Sequence, residues 1–349
     1  MAVEPLLIVS TLTEADGIFV YRIADGDGRL DLVRQTPDIR NPFFIDMHPN
    51  GKVLYSIIDP EGEQLVSALS FERGSGALQL INQQPTQGGY PCYVAVDPTG
   101  RAVVVANYAG GSVISYPLGA DGTLGKAGSF YQHQGSSVDE SRRQEPHAHC
   151  CKIAADGRFA YAADLGTDQV MIYTLDAAGG TLTPGEQPFA RVLPGAGPRH
   201  FTIAPNNRHA YVINELGNTI TAFNHDAERG LLLEQATVPT LPEGFDGKSH
   251  TADLCLTPDG RFLYGSNRGH DSIAMFTVDG GSGALTPNGI QPSGGQVPQN
   301  LTMSADGALL FVANQNSDKI SAFRIDSSTG KLTPGSETEV PSPVCSVLA

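Results

Sequence analysis

The sequence predicts an all-β chain closed into a seven-bladed propeller, with four antiparallel strands per blade, on three observations. A Gly-x-Leu triplet recurs seven times along the 349 residues. Tight-turn dipeptides between apolar runs recur six times. The two strands that would flank the missing seventh turn are the chain ends.

The triplets stand at Gly28, Gly76, Gly122, Gly180, Gly230, Gly283 and Gly330, spaced 46 to 58 residues apart, and counting from the last round through the termini to the first gives 47 more. A period of this size, with short strands between turn residues, marks radially repeated β-sheets. The tight turns are Asn50-Gly51, Thr99-Gly100, Asp156-Gly157, Asn206-Asn207, Asp259-Gly260 and Asp306-Gly307. Such pairs tolerate the positive φ of two-residue hairpins. In the seventh blade, Pro343 to Leu348 supplies the inner strand and the segment from Pro5 onward supplies the other three. Pairing the termini in this way leaves no long strand edge exposed.

Blade 4 shows the internal pattern: strand A at Arg199 to Ala204, B at His209 to Asn214, C at Thr219 to Asn224 and D at Leu231 to Val238. Strand B runs as β-branched and aromatic residues, for example Val103-Val104-Val105, as a strand buried between neighbouring sheets does. No segment has a helical period, and one ring over residues 1–349 is expected because no repeat buries its faces alone.

No apolar stretch reaches 18 residues, and Met1 to Pro5 lacks the basic start of a signal peptide. The five cysteines, four of them assigned to inner strands, read as buried reduced thiols, which points to the cytoplasm. A net charge of −15 argues against nucleic-acid or membrane partners and requires a local cationic patch for any anionic ligand.

Such a patch emerges where the repeat breaks its symmetry. Counting from the second residue of each tight turn, position +7 holds Ile58, Asn107, Asp164, Asn214, Asn267 and Asn314. Repetition of this kind implies architecture, expected here as side-chain caps on the B–C turn. Position +8 varies: Asp59, Tyr108, Leu165, Glu215, Arg268, Gln315. Position −8, at the start of strand A, varies too: Phe43, Cys92, His149, Arg199, Ala252, Gln299. The start of A and the end of B share one end of the ring, so His147, His149, Arg199, His200, Glu215, His250 and Arg268 gather there from blades 3, 4 and 5. Two long connections, Gln132 to Pro146 (with Arg142 and Arg143) and Pro239 to Ser249, emerge at the same rim. A carboxylate, imidazoles and guanidiniums together suit anion binding and acid–base chemistry. His147, His149 and His250 also form a conceivable zinc set, which the adjacent arginines disfavour; no metal or cofactor is expected. His48, His133, His209, His225 and His270 are expected at the surface.

The segments Pro146-His147-Ala148-His149, Gly197-Pro198-Arg199-His200-Phe201, Tyr211-Val212-Ile213-Asn214-Glu215-Leu216 and Ser266-Asn267-Arg268-Gly269-His270-Asp271-Ser272-Ile273 resemble the seven-bladed lactonase family, over essentially the whole chain. That family includes propeller-type 6-phosphogluconolactonases and carboxymuconate-lactonising enzymes. The resemblance implies that His149, Arg199, Glu215 and Arg268 serve catalysis and substrate anion binding, with His147, His200 and His250 flanking them. It implies metal-independent hydrolysis of a small anionic sugar lactone, 6-phosphogluconolactone foremost, with Glu215 or His149 as base. A carboxymuconate cycloisomerase, a metal-dependent gluconolactonase-like propeller and a non-enzymatic interaction propeller are the other readings.

Overall fold

The computed structural model describes residues 5–12, 17–58, 62–138 and 145–349. Seven four-stranded antiparallel sheets account for its strands. Their innermost strands are Ile45–Met47, Pro91–Val96, Ala148–Ile153, Pro198–Ile203, His250–Leu256, Pro298–Met303 and Pro343–Leu348. Each touches the next in this order and the last touches the first, which closes the ring. Blade 7 is joined as expected: Pro343–Leu348 pairs antiparallel with Leu6–Thr11, and Ile18–Ile23 and Leu30–Thr36 complete the sheet. In blade 4 the strands are Pro198–Ile203, His209–Asn214, Thr219–Asp226 and Leu231–Pro239, within a few residues of the sequence reading.

The core consists of clusters shared between adjacent blades, so strand B is buried on both faces. The Gly-x-Leu triplet is explained at this interface. At Gly122, Gly230, Gly283 and Gly330 the glycine sits in the C–D hairpin at positive φ, pressed against the first residue of the preceding blade's strand B. A Cβ on Gly330 would lie 2.2 Å from the Phe262 ring, and one on Gly230 would lie 2.4 Å from Phe159. At three of these the buried tyrosine two residues further along strand B donates to the carbonyl of the glycine: Tyr55 to Gly122, Tyr211 to Gly283 and Tyr264 to Gly330, at 2.8 to 3.0 Å; beside Gly230, Tyr161 bonds His225 instead. One short motif thus supplies both the close approach and a buried hydrogen bond between blades.

Two expectations change. The +7 asparagines do not cap the B–C turn. Asn107, Asn267 and Asn314 donate from Nδ2 to a hydroxyl on strand C (Ser112, Ser272, Ser321) and to a carbonyl just past or at the end of strand D (Thr86, Thr240, Ser293), tying three strands together. Only Asp164, a full acceptor, caps backbone N–H groups, those of His147, Gly166 and Thr167. The histidines placed at the surface are not all there. His133, His209 and His225 are buried, while His48 and His270 are half-buried. His133 bridges Asp164 and Tyr173, and His225 bridges Tyr161 and the Asn207 carbonyl. His209 fills the position against Gly283 that Phe159 and Phe262 fill elsewhere.

All five cysteines are free and all five lie in innermost strands; four are buried and Cys255 is partly so. No helix among the described residues is long and apolar enough to cross a membrane.

Candidate active site

The strand A–strand B ladder slips by one residue at the same place in six successive blades. In blade 3 the slip falls between Ala148 and Cys150, in blade 4 between Pro198 and His200, and in blade 5 between Thr251 and Leu254. Blades 2, 6 and 7 repeat it around Cys92, Gln299 and Val344. In blades 2, 3, 4 and 6 the unpaired residue is the one at position −8, and in blade 5 Ala252 at −8 and Asp253 together face Ser266, so His149 and Arg199 each occupy a β-bulge. A bulge re-aims a side chain that a regular pleat would send into the blade interface. This converts a sheet edge into a ring of side chains around the mouth.

Glu215 follows strand B of blade 4, its N–H bonded to the Gly197 carbonyl at 2.7 Å. Its Oε2 lies 3.0 Å from Arg199 Nε and 2.9 Å from Arg268 Nη2. Side chains of two adjacent blades, 4 and 5, therefore converge on one oxygen atom. Arg199 is 2% exposed, and its Nη1 donates to the Ala252 carbonyl at 2.5 Å and to His200 Nε2 at 3.2 Å. Burial, and then the charge of Arg268, bring its pKa down to about 10, with Glu215 opposing. Arg268 is more open, with 20% of its side chain exposed, and donates to the carbonyls of His250 and Thr251 and to Gln299 Oε1.

His149 is buried between Cys92, Tyr108 and His200, its ring edge-on to the last two at 5.4 Å. Burial, the Arg199 guanidinium and His200 hold its pKa well below the ordinary imidazole value. It is neutral at neutral pH, and no protein hydrogen bond engages its Nε2 among the described residues. His200 points its Nδ1 at Asp253 Oδ1, 2.8 Å away. Burial and Arg199 lower its pKa too, against the pull of Asp253. Asp253 is itself costly to bury, yet His200, the Leu301 N–H and Arg199 leave its pKa below the usual carboxylate value.

The void enclosed by Phe43, Cys92, His149, Arg199, His200 and Gln299 is only about 10 Å³, room for one water at most. The void is thus too small to enclose a ligand, and these side chains are reached only from the rim. Behind His200, Phe44 and Tyr93 a larger cavity of about 640 Å³ opens toward the tight-turn end, lined by Pro98, Pro205 and Pro258.

His149, Arg199, His200, Glu215 and Arg268 are thus brought together as the sequence suggests. His147 stands beside them, stacked on Tyr108 at 4.5 Å with Nδ1 3.0 Å from that residue's carbonyl. His250 joins only through its backbone; the residue itself is exposed. Among the described residues no three His, Cys, Asp or Glu side chains are grouped as a metal ion requires. The Pro239–Ser249 connection does border the site, Ser249 donating to the Arg268 carbonyl. Of the other long connection, Arg142 and Arg143 lie outside the described residues.

Sequence reasoning overlooked Asp253 and Asn300. Both stand at −7, in a column that reads Phe44, Tyr93, Cys150, His200, Asp253, Asn300. Its change from apolar to polar at blade 4 was the available signal. Tyr108, at +8, was visible in the repeat but not singled out.

A family model described as lactonase, 7-bladed beta-propeller, matches residues 6–348. A protein of Bacillus subtilis named 6-phosphogluconolactonase is 35% identical over 280 residues, 79% of this chain and 78% of its own length. One of the same name from Formosa agariphila is 32% identical over 82% of this chain and 81% of its own. The solved structure of a periplasmic gluconolactonase of Pseudomonas aeruginosa superposes with a TM-score of 0.92 at 32% identity, covering 99% of each chain. With its ring of seven sheets and its mouth of bulge-borne side chains, the chain belongs to the seven-bladed lactonase family.

Proposed function

We propose that the chain hydrolyses a sugar lactone, 6-phosphogluconolactone foremost, without a metal ion. The observation that carries this reading is the junction at Glu215 Oε2, where two guanidiniums meet beside the open nitrogen of a neutral imidazole. The names of the Bacillus and Formosa relatives supply the substrate.

His149 serves as the base. Glu215 already faces two arginines, whereas among the described residues His149 Nε2 has no competing protein partner. Water adds to the lactone carbonyl carbon and its proton passes to His149 Nε2. The carbonyl π pair moves onto oxygen, and the oxyanion takes hydrogen bonds from Arg199 Nη2, whose hydrogens have no protein acceptor among the described residues. A buried donor of this kind supplies about 10²–10³ in rate. The tetrahedral intermediate then collapses, the bond from the former carbonyl carbon to the ring oxygen breaks, and that oxygen takes the proton from His149. The environment that makes His149 a weak base makes its imidazolium a strong acid, which favours this second transfer. Glu215 holds both guanidiniums in place, and the more open Arg268 binds the substrate phosphate. The free thiols suit a cytoplasmic setting.

Steady-state assays on a panel of phosphorylated and plain lactones, with and without a strong chelator, test this. We expect chelator-insensitive turnover of the phosphorylated lactone. Loss of activity with chelator would remove the metal-free mechanism, and turnover of a carboxymuconate in place of all lactones would reassign the reaction.

A further inference from the structure

The buried side chains behind Arg199 form an ordered series from the mouth into the ring. Arg199 Nη1 donates to His200 Nε2 at 3.2 Å, and His200 Nδ1 lies 2.8 Å from Asp253 Oδ1. Asp253 Oδ2 accepts from Asn300 Nδ2 at 2.7 Å and from the Leu301 N–H at 2.9 Å. Arg199, His200, Asp253 and Asn300 are all buried. An arginine offers only donors, so His200 Nε2 must be the acceptor and Nδ1 must carry the proton. The carboxylate, an acceptor only, enforces that tautomer.

We propose that Asp253 is a positioning residue for the lactone hydrolysis described above. It locks His200 in the Nδ1–H form, so that His200 Nε2 and the Ala252 carbonyl together consume both Nη1 hydrogens of Arg199 and leave Nη2 turned to the substrate. The inference rests on that reading for its kinetic consequence, although the tautomer itself does not.

The substitution Asp253→Asn separates this role from simple packing. Its side chain has nearly the same shape, but one of its two polar atoms becomes an NH2 group. Two fixed donors, from Asn300 and Leu301, face the Oδ2 side, against one fixed donor, the Leu254 N–H, on the Oδ1 side, where His200 can exchange tautomer; the amide oxygen is therefore drawn to the Oδ2 side and the NH2 is turned toward His200. His200 Nδ1 must then accept, its proton moves to Nε2, and an N–H meets an N–H at Arg199.

The experiment is ¹⁵N NMR of histidine-labelled protein, wild type and Asp253→Asn, together with kcat and KM on the panel's best lactone and thermal melts. In wild type we expect a protonated Nδ1 and a bare Nε2 on His200. In the variant we expect the reverse, with kcat down about 10²-fold, the scale of a lost oxyanion donor, and KM changed by less than about threefold. A wild-type His200 protonated on Nε2 overturns the proposal without any variant, so a poorly folding Asp253→Asn does not shield it. A reversed tautomer with unchanged kcat, or an unchanged tautomer in the variant, overturns it as well. If wild type hydrolyses no lactone, the functional reading fails, while the NMR result still decides the tautomer.

Discussion

Replacing Glu215 by Gln tests the electrostatic logic of the site most directly. The change keeps the volume and removes the negative charge lying 3.0 and 2.9 Å from two guanidinium nitrogens. Each pair is worth about 4 kcal/mol of attraction at 4 Å for an effective dielectric constant near 20. Part of this is offset, because the carboxylate no longer has to be desolvated, and removing one partner of a buried pair costs about 3–5 kcal/mol net. With 349 residues at roughly 2.1 cal/mol/K each, the unfolding entropy is about 0.7 kcal/mol/K, so the melting temperature should fall by about 4–7 °C. Calorimetry in an anion-poor buffer measures this. Adding inorganic phosphate should recover more of the loss in the variant than it adds to wild type, since an anion then settles between Arg199 and Arg268. A melt within about 1 °C of wild type, or equal phosphate effects on both proteins, would refute the idea that Glu215 neutralises this pair.

Further outcomes follow from the same geometry. His149→Asn should lower kcat by about 10²–10⁴-fold while KM and the melting temperature change little, as steady-state kinetics and melts will show. Arg268→Gln should raise KM for the phosphorylated lactone about 10- to 100-fold, the loss of a charge-assisted contact, and alter KM for the unphosphorylated lactone far less. Acid should act on activity and stability together. His149 and His200 have folded pKa values below the ordinary 6.5, so the unfolded chain takes up protons first as pH falls. Stability is then complete above about pH 6.5 and declines below it, by up to about 1.4 kcal/mol per pH unit for each histidine until its folded pKa is reached. The acid limb of kcat/KM should lie below pH 6.5, and a limb centred above that value would contradict the assigned burial. Gly330→Ala, at φ +70° with a Cβ 2.2 Å from the Phe262 ring, should cost about 3 kcal/mol in denaturant titration without altering KM.

How far the sequence disclosed this molecule depended on whether a feature repeated. Seven triplets and six turns predicted the ring, its blades and the shared closing sheet, because each blade must solve the same packing problem and does so with the same residues. Exceptions to the repeat pointed to the site: Glu215 and Arg268 were conspicuous because their column otherwise has no common chemistry. What stayed hidden was set by partners distant in sequence. His133, His209 and His225 sit beside turns or at strand ends, and local sequence gives no sign that Asp164, Gly283 and Tyr161 enclose them. His250 follows a polar loop much as His147 does, yet only His147 has an aromatic ring to stack on.

The recurring bulge joins these two kinds of information. A regular strand A would alternate, sending position −8 into the interface between blades and position −7 the opposite way. One extra residue per blade resets the alternation, so adjacent positions both serve the axis: −8 at the rim with His149 and Arg199, −7 one layer deeper with His200, Asp253 and Asn300. On the function proposed above, the outer layer would meet the substrate and the inner layer would orient it, which is how a carboxylate as deeply placed as Asp253 could influence chemistry at the rim. It also explains why blade 2, with Cys92 and Tyr93 at the same two positions, contributes no charge although its backbone makes the same slip. The backbone device is common to six blades, and the chemistry depends on which of them fill it with ionisable residues.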